Sequence, residues 1–120
     1  MSRALSSNLK ALLGDPAFVA LTEAFGGTRL YIPHNLTADH EIAKAIGLDL
    51  ALKLSKRYAP DTIRVPLARE DRAVHYRANG LSNPQIARKL GMTEAGIDQM
   101  FGRMDKPPVK GSALQLSFLD

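Results

Sequence analysis

Two stretches of this 120-residue sequence follow one pattern at a constant offset of 33 residues. Each stretch, 18–33 and 51–66, reads as a helix ending in an aromatic residue, a tight turn, and a strand of apolar residues stopped by a proline. Two copies are too few for a solenoid, which needs about three repeats. The matched positions are Leu21 and Leu54, Phe25 and Tyr58, Thr28 and Asp61, Leu30 and Ile63, Ile32 and Val65, and Pro33 and Pro66.

The repeat predicts a pseudo-symmetric pair whose two strands form a small ribbon. Since a lone two-stranded ribbon is only marginally stable in water, helices or a second subunit should cover it. The alternative is a chance similarity between short amphipathic segments.

Glycine, proline and capping residues predict where the first helices begin and end. A leucine-rich helix is closed by Gly14, and Asp15, as N-cap, begins the second helix with Pro16 in its first turn. That helix ends at Gly26. The leucines of the first helix are Leu5, Leu9, Leu12 and Leu13.

The third helix is predicted to begin after Thr37, and Gly47 breaks it. A fourth follows over about 48–58. The strands are expected over 28–32 and 62–65. One side of the fourth helix carries its apolar residues: Leu48, Ala51, Leu54 and Tyr58.

Composition favours a globular protein without sulfur chemistry. Hydrophobic residues make up 45% and charged residues 23%, and the absence of cysteine excludes disulfides and zinc sites built on sulfur. No apolar run approaches the roughly 20 residues of a membrane span, and the N-terminus does not read as a signal peptide. A cytoplasmic location without membrane contact is therefore expected. The net charge of +4 is compatible with nucleic acid but does not argue for it alone.

No catalytic pattern stands out, so we expect neither an enzyme nor a cofactor. His34, His40 and His75 lack metal-ligand spacing, and no metal site is predicted. Asp39 and Glu41, which flank His40, are expected in the first turn of a helix, where carboxylates suit the helix dipole.

The strongest signal lies between Leu67 and Met104. A helix over about 69–79, with Val74 and Ala78 on its inner side, should end at Gly80. Ser82 then caps a helix over 83–90, and Gln85 completes a capping box. Thr93 caps the last helix. The last helix is predicted to bury Ile97, Met100, Phe101 and Met104.

The spacing within this segment is typical of a helix-turn-helix. Ala87 is small where two helices must cross closely, Gly91 occupies the turn four residues later, and Ile97 fills the space between the helices six residues after that. The alternative is a plain helical hairpin with a similar core. Further apolar positions in register are Ile86, Leu90, Met92 and Met100.

The outer face of the last helix would enter the major groove of double-stranded DNA. Gln99 could bond adenine, Arg103 guanine or a phosphate, and Ala95 a thymine methyl. The predicted base-reading residues are Thr93, Glu94, Ala95, Asp98, Gln99 and Arg103. The predicted phosphate contacts are Arg69, Arg72, Arg77, Ser82, Arg88 and Lys89.

Two carboxylates on this face, Glu94 and Asp98, leave a second interpretation open. They could accept hydrogen bonds from cytosine, or they could weaken attraction to DNA. In the second case the segment would be a protein-docking module.

The run Phe25-Gly26-Gly27-Thr28-Arg29-Leu30-Tyr31-Ile32-Pro33 resembles the Gly-Gly-x-x-x-Tyr-Ile-Pro signature of the Mor family of phage transcription activators. Residues 79–82 and 86–93 resemble that family's DNA-binding helices. The resemblance implies a homodimer that activates phage promoters through bacterial RNA polymerase. It also implies that Arg29, Tyr31 and Arg64 lie nearest the central DNA.

Together these observations predict a mainly α fold with two short β-strands. Residues 1–66 would form a helical and β-ribbon dimerisation region, 67–104 a helix-turn-helix, and 105–120 a linker and tail. The tail segment 115–119 resembles the pentapeptide with which bacterial proteins dock on the replication sliding clamp. The alternative function is therefore a phage interaction module with a degenerate helix-turn-helix, whose tail docks on the clamp.

Overall fold

A computed structural model describes residues 2–109, with side chains from Ala4 onward. The chain divides after Ala68 into two compact units. The described part is mainly helical with one small antiparallel sheet, as predicted. No helix within it is long and apolar enough to cross a membrane. The elements are α1 (Ser2–Leu13), α2 (Asp15–Phe25), β1 (Arg29–Tyr31), α3 (Glu41–Ile46), α4 (Leu48–Tyr58), β2 (Thr62–Arg64), α5 (Arg69–Ala78), α6 (Asn83–Leu90) and α7 (Glu94–Gly102).

The helices of the first unit meet at two glycines. Gly14 separates α1 from α2 and Gly47 separates α3 from α4, with φ of 83° and 87°. The prediction that Asp15 caps α2 was wrong, because Gly14 occupies the cap position and Asp15 is the first helical residue.

The start of α3 also differs from the prediction. His40 is its N-cap, since the His40 Nδ1 accepts a hydrogen bond from the Ile42 amide at 3.1 Å, so the helix begins at Glu41 and not just after Thr37. Asp39 consequently precedes the helix. The hydroxyl of Thr37 donates to the Asp39 carboxylate, and this hydrogen bond lowers the pKa of Asp39.

The two strands pair antiparallel, which confirms the predicted ribbon, although both strands are shorter than expected. Leu30 and Ile63 face each other and are buried, while the residues on either side of them point outward. The three cross-strand pairs are Arg29 with Arg64, Leu30 with Ile63, and Tyr31 with Thr62.

One apolar core joins this ribbon to the four helices. The apolar side of α4 was predicted only in part: Ala51 and Leu54 are buried, but Leu48 is exposed and Tyr58 is half-buried. Ser55 is buried in their place, and its hydroxyl donates to the Pro33 carbonyl at 2.6 Å. The largest side chains of the core are Leu9, Phe18, Leu21, Ile32, Ile42, Leu54 and Val65.

Replacing Leu21 by alanine should lower the free energy of unfolding by about 2–5 kcal/mol, because Leu21 has no exposed surface and its loss leaves a cavity. The matched control is Leu52→Ala on α4, where the leucine is 44% exposed and the cost should stay below about 1 kcal/mol. Urea denaturation of both variants measures the difference. Equal losses would contradict the core described here.

Candidate nucleic-acid interface

The second unit holds α7 in place through a small core shared by three helices. Buried residues come from α5 (Ala73 and Tyr76), from α6 (Ile86, Ala87 and Leu90) and from α7 (Ile97, Met100 and Phe101). α6 packs against both α5 and α7.

Three expectations for this core need correction. On α5, Val74 is exposed and Ala78 half-buried, because the helix turns Ala73 and Tyr76 inward instead. Met104 is only half-buried, since α7 ends at Gly102 before reaching it. Met92 is half-buried as well.

The ends of α6 and α7 are fixed by the predicted caps. The Ser82 hydroxyl accepts from the Gln85 amide at 3.4 Å and the Gln85 side chain accepts from the Ser82 amide at 2.8 Å, which completes the capping box. Thr93 caps α7 by accepting from the Gly96 amide at 3.0 Å. Between the helices Gly91 adopts a left-handed conformation, with φ 67° and ψ 36°.

The predicted outer face of α7 is open to solvent along its whole length. Asp98 is fixed there, since its carboxylate accepts a hydrogen bond from the Asn83 side-chain amide at 3.1 Å. Sequence reasoning missed Asn83, because a contact between residues 15 positions apart depends on how α6 crosses α7. The exposed residues are Thr93, Glu94, Ala95, Asp98, Gln99, Gly102 and Arg103.

Three of the predicted phosphate contacts take part in packing the second unit. Arg72 donates to the Lys89 carbonyl at 3.4 Å and its guanidinium lies 6.0 Å from the centre of the Tyr76 ring. The Lys89 ammonium lies 5.3 Å from the same ring. Arg77 donates to the Leu81 carbonyl at 3.2 Å and lies 5.8 Å from the Phe101 ring centre.

Arg69 and Arg88 are exposed, whereas Ser82 is half-buried with its hydroxyl engaged in the capping box. The role of Tyr76 as an anchor for cations was missed. Ala73 and Tyr76 at i, i+3 spacing are the signal that could have revealed the inner side of α5.

The remaining predicted site residues lie together on the ribbon of the first unit. Arg29, Tyr31 and Arg64 all point outward, and the two arginines are direct cross-strand neighbours. Like charges in that position repel each other, and an anion between them would relieve the repulsion. Beside them lies an open cavity of about 360 Å³, lined by Gly27, Thr28, Arg29, Arg64, Val65 and Leu67.

The histidines occupy unrelated places. His40 caps α3, His75 meets the edge of the Tyr76 ring at a centroid distance of 6.2 Å, and His34 is exposed. Within residues 2–109, no cluster of histidine and carboxylate side chains is arranged to hold a metal ion.

No family model matches the chain, and no curated protein or solved structure is significantly similar to it. The resemblance to the Mor family, with the homodimer and the polymerase contact that it implies, stays a prediction. The clamp-like segment 115–119 lies outside the described residues.

The turn between α6 and α7 can be tested with one glycine pair. Gly91→Ala should cost about 1–2 kcal/mol of folding stability, because in the left-handed conformation a Cβ comes too close to the adjoining backbone carbonyl. Apart from the adjoining residues, no atom lies within 4 Å of the Cβ position, so the cost comes from the backbone conformation alone. The control is Gly102→Ala, which also meets open space but in a helical backbone, and should be neutral or stabilising. Gly91→Asn should recover part of the loss, since asparagine tolerates this conformation. Thermal unfolding of the three variants decides whether Gly91 is kept for its backbone angles.

Proposed function

We propose that this protein is a sequence-specific DNA-binding transcription regulator that reads bases with α7. The observation that carries the proposal is the exposed outer face of a helix whose other side is anchored by Ile97, Met100 and Phe101. In a helix-turn-helix the second helix of the pair must project an unobstructed face toward the major groove. The glycine turn and the small Ala87 on α6 support this interpretation.

The exposed side chains of α7 provide the chemistry of base reading. Gln99 can accept from and donate to adenine, and Arg103 can donate to guanine, while Ala95 suits a thymine methyl. Asp98 is limited in this role, because one of its oxygens already accepts from Asn83.

Phosphate contacts would come from exposed cations that do not pack against the rest of their unit. Arg69 and Arg88 satisfy this in the second unit. In the first unit the neighbouring Arg29 and Arg64 offer two guanidinium groups to the backbone of the duplex.

One observation favours a second candidate, a protein-docking module. Glu94 and Asp98 place two carboxylates on the exposed face, and carboxylates repel the phosphates on either side of the groove. Such a module would bind a basic protein surface and no DNA.

Selection from a random pool of duplexes by the full chain separates these two functions. A DNA-binding regulator enriches a defined sequence, whose affinity then falls steeply with salt. A docking module enriches nothing, and that outcome would overturn the proposal.

Two substitutions should affect binding to the selected duplex in different ways. Arg88→Ala should weaken binding to all sequences and reduce the salt slope by about 0.9, the value for one lost phosphate contact. Gln99→Ala should leave the salt slope unchanged and cost about 1–3 kcal/mol of discrimination at a single base pair. Fluorescence anisotropy titrations at several salt concentrations measure both effects.

Lys53→Ala provides the control, because Lys53 is an exposed cation on α4 with no predicted DNA contact. It should leave affinity and slope as they are. If Arg88→Ala and Gln99→Ala change specificity alike, the division into phosphate and base contacts is wrong.

A further inference from the structure

The 33-residue offset of the sequence is reproduced by the elements of the first unit. Shifted by 33, α2 coincides with α4 at both ends, and β1 coincides with β2. Gly14 and Gly47, which precede the two helices, share nearly the same backbone angles, with ψ of 160° and 153°. A chance similarity between amphipathic segments would not align element boundaries in this way.

Hydrogen bonds outside the regular elements follow the same offset. Several bonds in the first half have a counterpart 33 residues later with nearly the same length. The pairs are Gly14 to Lys10 and Gly47 to Ala43, both 2.8 Å; Gly26 to Thr22 at 2.9 Å and Ala59 to Ser55 at 2.8 Å; and Thr28 to Phe25 at 3.0 Å and Asp61 to Tyr58 at 2.9 Å.

The ribbon shows that a twofold operation relates the two halves. Leu30 pairs with Ile63, and Ile63 is also the residue that matches Leu30 at the 33-residue offset. The twofold axis therefore passes between these two residues. The operation exchanges the cross-strand pair at one end with the pair at the other end. The flanking bonds obey it too, since Ile32 donates to Asp61 and Val65 donates to Thr28, both at 2.9 Å.

The halves also interlock through their helices. α2 packs against α3, and in the symmetric contact α1 packs against α4. Counterparts such as Leu9 and Ile42, or Leu21 and Leu54, are all fully buried in one core. One chain thereby forms the twofold interface that two chains of half this length would otherwise share.

We propose that the first unit is a complete dimer-like module made by a single chain, so that one chain with its one α7 binds a single, non-palindromic DNA half-site. The DNA part of this inference rests on the proposed function. On this proposal a monomer takes the place of the homodimer expected from the family resemblance, because β1 already pairs with β2 within the chain.

The two halves differ at some matched positions, so the two ends of the ribbon are not equivalent. Gly27 donates to the Val65 carbonyl at 2.8 Å, whereas its counterpart Pro60 has no amide hydrogen to donate. The counterpart of Arg29 is Thr62 and that of Arg64 is Tyr31. Both arginines therefore lie at one end of the ribbon, beside the cavity. Because the other end has no matching pair of charges, the ribbon would contact the two sides of a palindrome unequally, and we expect a DNA site without twofold symmetry.

The mass of the full chain in solution tests the inference without DNA. Sedimentation should give 13.1 kDa at about 5 µM and at about 200 µM, and the Tm should be the same at both concentrations. Twice that mass would overturn the inference, whether the second copy adds to the ribbon or exchanges a half with it. A Tm that rises with concentration would overturn it as well.

A matched pair of ribbon variants extends this test. Leu30→Ala removes a buried side chain at the axis and should lower the Tm by roughly 8 °C or more, equally at both concentrations. Tyr31→Ala is the control, because that side chain is 55% exposed. A loss for Leu30→Ala that shrinks as concentration rises would place the Leu30–Ile63 contact between chains and contradict the inference.

The selected duplex provides the second readout. One chain should bind per duplex, to a consensus without an inverted repeat. Two chains on an inverted repeat would overturn the inference and leave the proposed function standing. A 13.1 kDa chain that enriches no duplex would overturn the proposed function and the half-site, while the single-chain module stands.

Discussion

The antiparallel pairing of β1 with β2, centred on Leu30 and Ile63, is the constraint on which the first unit depends. Two strands of three residues bury only one apolar side chain each and cannot persist in water unaided. The ribbon therefore needs helices packed against it, and residues from all four helices of this unit share its core. The glycines at 14 and 47 set the helix junctions that let these helices pack as two equivalent pairs.

The second unit is built around one helix, α7, which packs in a small core with α5 and α6. It holds α7 by its inner side and leaves the outer side exposed. Buried Ala87 and Ile97 hold α6 and α7 together, and the capping residues Ser82 and Thr93 fix where each helix begins. Arg72 and Arg77 pack against aromatic rings of this unit, whereas Arg69 and Arg88 are exposed, as is Arg103 directly after α7.

Sequence alone predicted the features that depend on local backbone chemistry. Helix stops at glycine, the capping box and the strand pair are of this kind, because each is decided within a few residues or by a repeated pattern. It failed where tertiary packing decides which of several neighbouring residues is buried or caps a helix. On α5 Tyr76 is buried and Val74 is exposed, and His40 is the N-cap of α3. In the candidate site it identified the exposed face of α7 but not the engagement of Arg72 or the Asn83 contact, which depend on helices crossing in space.

The connection between β1 and α3, residues 32–40, has a kinetic and thermodynamic consequence. Two separate halves would meet at a rate and to an extent set by their abundance, whereas a short tether holds them at an effective concentration in the millimolar range. The ribbon then forms as readily in a cell with a handful of molecules as in one with thousands. On the proposed function, DNA occupancy would therefore rise in simple proportion to copy number, without the threshold that subunit assembly imposes.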